Sequence, residues 1–224
     1  MSQPIPILYE DADLLIANKP AGLLSVPSGA AGVRSLPEVL REQGIKAQPV
    51  HRLDRDVSGC VLLARNPAMR GKLEDLFRER SITKTYWALV RGSPRKDEAS
   101  IQYPILHEKS HARVSARGQR AHTRYRVLRR LRYKDTDITE VEIDLVTGRY
   151  NQIRLHFAHD KLPLIGERKY ARGSDDPLKA SRVALHAWRL AFEHPGDGRR
   201  IEVEAALPGD LEQLVQRCRG QTFG

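Results

Sequence analysis

Apolar and polar residues alternate along several short runs of this chain, at residues 14–17, 86–90, 141–145 and 201–203. A period of two sends successive side chains to opposite faces, so each run predicts a strand. In the third run Val141, Ile143 and Leu145 share one face, and Glu140, Glu142 and Asp144 share the other. That division predicts one face against a core and one in water, as in a largely antiparallel sheet. In the stretch ITKTYWALVRG, Lys84, Tyr86, Ala88 and Val90 fall on one face and Thr85, Trp87 and Leu89 on the other.

Helices are signalled by the chemistry of their starts. Ser35 with Glu38 forms a capping box ahead of Leu40, and Asn66 with Pro67 opens a segment carrying Leu73, Leu76 and Phe77. A third helix follows Pro208 and Asp210, with Leu211, Leu214 and Val215 on one face. Strands and helices do not alternate strictly, which argues against a doubly wound parallel sheet. The expected class is α+β: a mixed, largely antiparallel sheet flanked by helices and loops. No repeat or low-complexity linker divides the chain, so residues 1–224 read as a single domain, with surface loops at 91–100 and 171–177.

With 40% hydrophobic residues, the 224-residue chain can bury a sizeable core. Thirty-eight Lys and Arg against 28 Asp and Glu leave a charge of +10, which suits a polyanionic partner, nucleic acid first. Arg124, Arg126, Arg129, Arg130 and Arg132 suggest that the charge gathers on one strand or face. Cys60 and Cys218 form neither a disulfide framework nor a C-x-x-C pair, which fits a reducing cytoplasm. The start lacks the character of a signal peptide, and no apolar stretch approaches the roughly 20 residues of a membrane span. A cytoplasmic protein with no membrane partner is expected.

Two stretches carry unusual chemistry. HRLDRDVSGC, residues 51–60, crowds His51, Arg52, Asp54, Arg55 and Asp56 just ahead of an apolar run. Neighbouring cations favour the ionised form of Asp54, which can then act as a nucleophile, stabilise an oxocarbenium ion or ligate a metal. A loop whose charges pair locally has the same appearance. TGRYNQIRLHFAHDKLPLIGERKY, residues 147–170, sets Arg149 and Arg154 around Gln152, and arginine's planar fork suits carboxylate or phosphate. An ordinary turn followed by a helix with its basic residues in water fits equally. His156, His159 and Asp160 lack the spacing of a zinc motif, and no metal is expected. Tyr86 can stack a base, although a lone strand tyrosine is more often a core or edge aromatic.

Taken together, these stretches resemble the RluA family of RNA pseudouridine synthases. The family's HRLD-x-x-TSG is matched by HRLDRDVSG, its K-x-Y strand by Lys84 and Tyr86, and its TGR-x-H-Q-I-R by TGRYNQIR. Further echoes are NKPAGLLSVPS at 18–28, AHTRYRV at 121–127, PLIGERKY at 163–170 and LHAWRLAFEHP at 185–195. The likeness runs in order from Tyr9 to Pro208.

The resemblance implies the pseudouridine synthase catalytic fold and a cofactor-free isomerase that detaches uracil, rotates it and reattaches it through carbon. It makes Asp54 the essential carboxylate, Arg154 its expected ion-pair partner and Tyr86 the side chain that packs on the target base. His51, Arg52, Arg55, Lys84, Arg149 and Gln152 become candidate RNA contacts, holding a uridine flipped out of its stack. The short branch it looks most like implies 23S rRNA, tRNA or both as substrate; the sequence starts directly at the catalytic domain, so no N-terminal S4-type module is expected, and a monomer is the default. Val57 stands for the usual Thr, Asn151 for His, Lys161 for Gly and Glu167 for Asp. A kinase reading of HRLDR fails, because no G-x-G-x-x-G precedes it and no D-F-G follows. An RNA-binding or RNA-folding protein without catalysis is the remaining alternative, and the retention of Asp54, Tyr86 and Arg154 argues against it.

Overall fold

A computed structural model describes residues 4–30, 32–109, 111–171 and 176–219. Of the loop expected at 171–177, residues 172–175 lie outside the described residues. In chain order the elements are β1 (Ile7–Glu10), β2 (Leu14–Lys19), α1 (Leu36–Glu42), β3 (Gln48–Pro49), β4 (Ser58–Ala64), α2 (Pro67–Glu79), β5 (Thr83–Arg91) and β6 (Glu98–Ile101). There follow β7 (Ile105–Glu108), β8 (His111–Val114), β9 (Thr123–Tyr133), β10 (Thr136–Leu145), α3 (Gln152–His159), β11 (Leu185–Glu193), β12 (Arg200–Glu204) and α4 (Gly209–Arg219). The ladders β1–β2, β2–β4, β3–β4, β11–β12, β5–β10, β10–β9, β9–β6 and β7–β8 are all antiparallel, giving the α+β architecture expected. Among the described residues no helix is long and apolar enough to cross a membrane.

Contacts divide the chain into two compact units: residues up to Lys84 together with Ala187–Ala206, and Thr85–His186 together with residues from Leu207 on. In the first, the strands run β1-β2-β4-β11, with β3 on β4 and β12 on β11. Every residue of β4 is buried, because both of its faces are covered, and its core partners include Leu14, Ile16, Leu73 and Phe192. Gly59, at φ +114°, admits the turn into β4: a Cβ there would lie 2.2 Å from the Ala187 carbonyl oxygen. The expected caps form. The Glu38 carboxylate accepts the Ser35 N–H at 2.7 Å, and Asn66 accepts the Met69 N–H at 2.8 Å.

In the second unit the order is β5-β10-β9-β6, with Tyr86 opposite Ile143, and β7–β8 stands as a separate hairpin. Val141 and Ile143 are buried as their pattern requires. Glu140 departs from the expected wet face: it is buried, accepts the Trp87 indole N–H at 2.7 Å and pairs with Arg129. A register shift beside it sets Glu140 against Arg129 but Val141 against Val127, leaving Leu128 as an extra residue in β9. The positive strand expected at 124–132 is largely compensated. Besides the Arg129 pair, Arg126 meets Glu142 at 3.0 Å and Arg130 meets Asp97 at 2.6 Å, since β10 and the 97 region present carboxylates to it.

Helix α3 ends in a Schellman motif, with Leu162 N–H donating to Phe157 O at 2.9 Å and Lys161 N–H to Ala158 O at 3.2 Å. Lys161 occupies the left-handed position at φ +65°, where glycine carries no Cβ penalty. Lys161→Gly is therefore expected to stabilise the protein by about 0.5–1 kcal/mol, read as a higher urea midpoint with an unchanged slope. A lower midpoint would show that the lysine side chain contributes more than its backbone strain costs.

Candidate functional site

In the first unit, loop 51–57 is built against the segment 19–25. Ser25, buried, donates its hydroxyl to Leu53 O at 2.9 Å and accepts the Leu53 N–H at 2.9 Å. Gly22 N–H donates to Arg55 O at 2.8 Å, and Arg55 Nε returns a bond to Gly22 O at 3.0 Å. Lys19 is fully buried, its ammonium donating to Pro20 O and Leu23 O, both at 2.9 Å, and to Arg55 O at 3.2 Å. Asp54 lies between these anchored neighbours with its side chain half-buried, and its carbonyl accepts the Val57 N–H at 3.1 Å. Arg52 and Arg55 are exposed.

His51 has a different character from the arginines. Its Nε2 accepts the Leu62 N–H at 3.0 Å, and its ring lies 4.8 Å from that of Phe77. Desolvation, then the charge of Lys84, pushes its pKa down to about 3. An accepting ring nitrogen carries no proton, so geometry and electrostatics agree that the ring is neutral. Lys84 sits 5.6 Å over the Phe77 ring, its pKa lowered by burial and by Arg80. Unfolded His51 protonates near 6.5 and folded His51 only near 3, so its contribution to stability is complete above pH 6.5 and lost as the pH falls through that window. At 1.36 kcal/mol per pH unit, about 2 kcal/mol should be lost between pH 6.5 and pH 5 in chemical denaturation of the wild type and be absent in His51→Gln. Equal pH dependence in both would contradict this.

In the second unit, Gln152 is the hub of a buried network. Its carbonyl accepts the Thr147 hydroxyl at 2.8 Å and the Arg149 N–H at 3.0 Å, while its amide donates to His122 O at 3.0 Å and Thr123 Oγ1 at 2.9 Å. Every polar atom of the amide is engaged, so Gln152, expected at the RNA, instead fixes the 147–149 turn. Arg149 is exposed, with its Nε on Arg120 O at 3.2 Å. Both ring nitrogens of His156 are occupied, Nδ1 by Thr123 Oγ1 and Nε2 by Tyr103 O, each at 2.9 Å, which leaves neither for a metal.

Arg154, on the inner side of α3, makes a two-pronged pair with Glu167, Nε to Oε2 at 2.6 Å and Nη2 to Oε1 at 2.9 Å. The Glu167 side chain is wholly buried, and its Oε1 also accepts the N–H groups of Lys169 and Tyr170. Tyr170 faces the guanidinium at 5.7 Å and accepts the Asn151 amide at 2.9 Å. Asn151 takes φ +51° at the start of α3, a conformation that asparagine tolerates well. Tyr86 is buried in β5.

The expected residues thus fall in two groups, His51, Arg52, Asp54, Arg55 and Lys84 on the first unit and Tyr86, Arg149, Gln152 and Arg154 on the second. Three residues with clear structural work were not singled out: Lys19 and Ser25, which lie inside the NKPAGLLSVPS echo, and Glu167, noted only as a departure. The partners that give them this work, Arg55, Leu53 and Arg154, stand 36, 28 and 13 residues away, beyond what local spacing shows.

Residues 13–159 match the family model described as RNA pseudouridylate synthase. The chain is 38% identical to an uncharacterized RNA pseudouridine synthase of Zymomonas mobilis, over 93% of this chain and 96% of that protein. It is 36% identical to ribosomal large subunit pseudouridine synthase D of Nitrosomonas europaea, over 96% of this chain and 66% of that longer protein. It is 34% identical to synthase C of Escherichia coli K12, over 95% and 70%. Among solved structures, human RNA pseudouridylate synthase domain containing 1 matches with a TM-score of 0.77 at 26% identity, covering 97% of this chain and 95% of that one.

Proposed function

The chain belongs to the RluA family of RNA pseudouridine synthases, isomerases that act on uridine in RNA, and from that premise we propose that it modifies ribosomal large-subunit RNA with Asp54 as the essential carboxylate. The observation that carries the proposal is Asp54 itself, a half-buried acid held between two arginines on a loop anchored on both sides. The reaction breaks the bond from ribose C1′ to N1, forms one from C1′ to C5, releases the C5 proton to water and leaves N1 to take one up, so atoms balance with no cofactor or external nucleophile. An ionised Asp can attack C1′, stabilise positive charge there or remove a proton from C2′, and each role needs its negative charge.

The remaining residues take distinct roles. Arg154 is the second charged group that the reaction draws on, and Tyr86 packs on the target base. Arg52, Arg55, Lys84 and Arg149 hold phosphates beside the flipped nucleotide, at an unstacking cost of a few kcal/mol. His51 and Gln152 support this chemistry by fixing backbone, the former without charge and the latter from a buried position.

Two relatives are named for the ribosomal large subunit, which supports that substrate over others. The test is tritium release from C5-labelled uridine in separate large-subunit rRNA and tRNA transcripts. Release from the rRNA supports the proposal, and release from tRNA alone moves the substrate. Binding of both RNAs with release from neither leaves a binding protein.

A further inference from the structure

The segment 19–25 does more than border the Asp54 loop. It bonds to Leu53 and to Arg55, the residues on either side of Asp54, in five contacts, four of which involve a side chain. The bonds to Leu53 come from one atom, Ser25 Oγ, which donates to the carbonyl and accepts the amide N–H at the same distance, 2.9 Å. One hydroxyl therefore fixes both peptide groups of the residue that leads into Asp54. Ser25 and Leu53 are both buried, so water has little access with which to replace the lost partner.

On the other side, the Lys19 ammonium and the Gly22 N–H converge on the Arg55 carbonyl, at 3.2 and 2.8 Å. Gly22 stands at φ +85°, which lets the turn bring its N–H and carbonyl to Arg55 together. The peptide plane that leads into Asp54 and the carbonyl of the residue after it are thus held by a segment 28 residues or more upstream. A side chain held at both backbone flanks varies mainly in its own torsions, which is the form of preorganisation that a reacting carboxylate needs.

We propose that Ser25 is a positioning residue for the isomerisation: through Leu53 it sets the backbone from which Asp54 reaches the ribose, and it takes no part in holding RNA. The inference rests on Asp54 being the essential carboxylate. Its consequence is a split between chemistry and binding. A misplacement on the order of 1 Å in a reacting group costs up to about a hundredfold in rate, whereas phosphate contacts by exposed arginines are left as they were.

The experiment uses the full chain as wild type, Ser25→Ala and Ser25→Cys, the last keeping the size of the side chain but bonding weakly. Single-turnover tritium release at saturating enzyme is measured beside RNA affinity by filter binding, at a temperature where circular dichroism shows each protein folded. Both variants are expected to slow release by about tenfold to a hundredfold, with affinity within about twofold of wild type. Amide exchange should also accelerate at Leu53 without a general loss of protection. Unchanged release, or weaker binding with unchanged release, overturns the proposal. So does failure of both variants to fold, which would make Ser25 a residue of stability alone. If wild type releases no tritium, or if Asp54→Asn releases it at the wild-type rate, the proposed function fails before the role of Ser25 is tested.

Discussion

Asp54→Asn is expected to lower the rate of C5 tritium release by about 10³-fold or more while changing RNA affinity by less than about threefold. The substitution keeps the shape of the side chain, removes its negative charge and puts an amide donor in place of one acceptor oxygen. Each role open to Asp54 needs that charge: an amide neither attacks C1′, stabilises a cation, nor accepts a proton from C2′ at neutral pH. Binding should survive, because Arg52 and Arg55 remain exposed on either side and the loop stays tied to Ser25 and Gly22. Loss of a negative charge next to a polyanion can even strengthen binding slightly. Parallel loss of affinity and rate would instead mark Asp54 as part of the fold of the loop.

Glu167→Gln is expected to have the second largest effect, in stability as well as rate. The wild-type carboxylate is buried, paired through both oxygens with Arg154, and accepts two further backbone N–H groups. Removing one partner of such a pair leaves the other charge poorly compensated, at a cost of about 3 kcal/mol. The glutamine oxygen can still accept the backbone bonds, but its amide group presents donors where Arg154 also presents donors. The guanidinium then loses its fixed orientation, and the release rate should fall by about tenfold or more with RNA affinity changed much less. Denaturation midpoints and single-turnover rates on the same preparation check both parts. A large loss of stability with an unchanged rate would confine Glu167 to the fold.

The Glu167–Arg154 pair also shows where sequence reasoning reaches its limit. Local signals were legible: the alternation of Val141 and Ile143, the Ser35–Glu38 and Asn66 caps and the apolar face of α4 all depend on residues a few positions apart. The motif residues were legible through resemblance, because the order of HRLD, K-x-Y and GR-x-x-Q-I-R is written along the chain. Long-range pairing was not. Glu140 falls on the polar face by its period, yet Trp87 and Arg129 from neighbouring strands make burial tolerable. The arginines of β9 suggested a positive surface, and the carboxylates that answer them sit on β10 and just ahead of β6. The resemblance makes His51 and Gln152 candidate RNA contacts, and it carries no sign of the backbone partners, Leu62 and His122 among them, that each side chain holds. Ser25 belongs to the same class, since its bonds are made to a peptide group that no side-chain pattern encodes.

The departures from the family pattern divide along the same line. Lys161 and Asn151 both adopt left-handed backbone, so each meets a local conformational demand that a usual residue also meets. Val57 is buried under the loop, and Glu167 reaches Arg154 with one more methylene than the usual Asp.

The protein is proposed to make pseudouridine and to require Asp54 to do so. The most direct measurement is chromatography of nucleoside digests from large-subunit rRNA incubated with wild type or with Asp54→Asn, since pseudouridine has the mass of uridine but separates from it. A new pseudouridine peak is expected with wild type and none with the variant, from RNA that both proteins bind. Equal peaks with both proteins, or none with either despite binding, would contradict it.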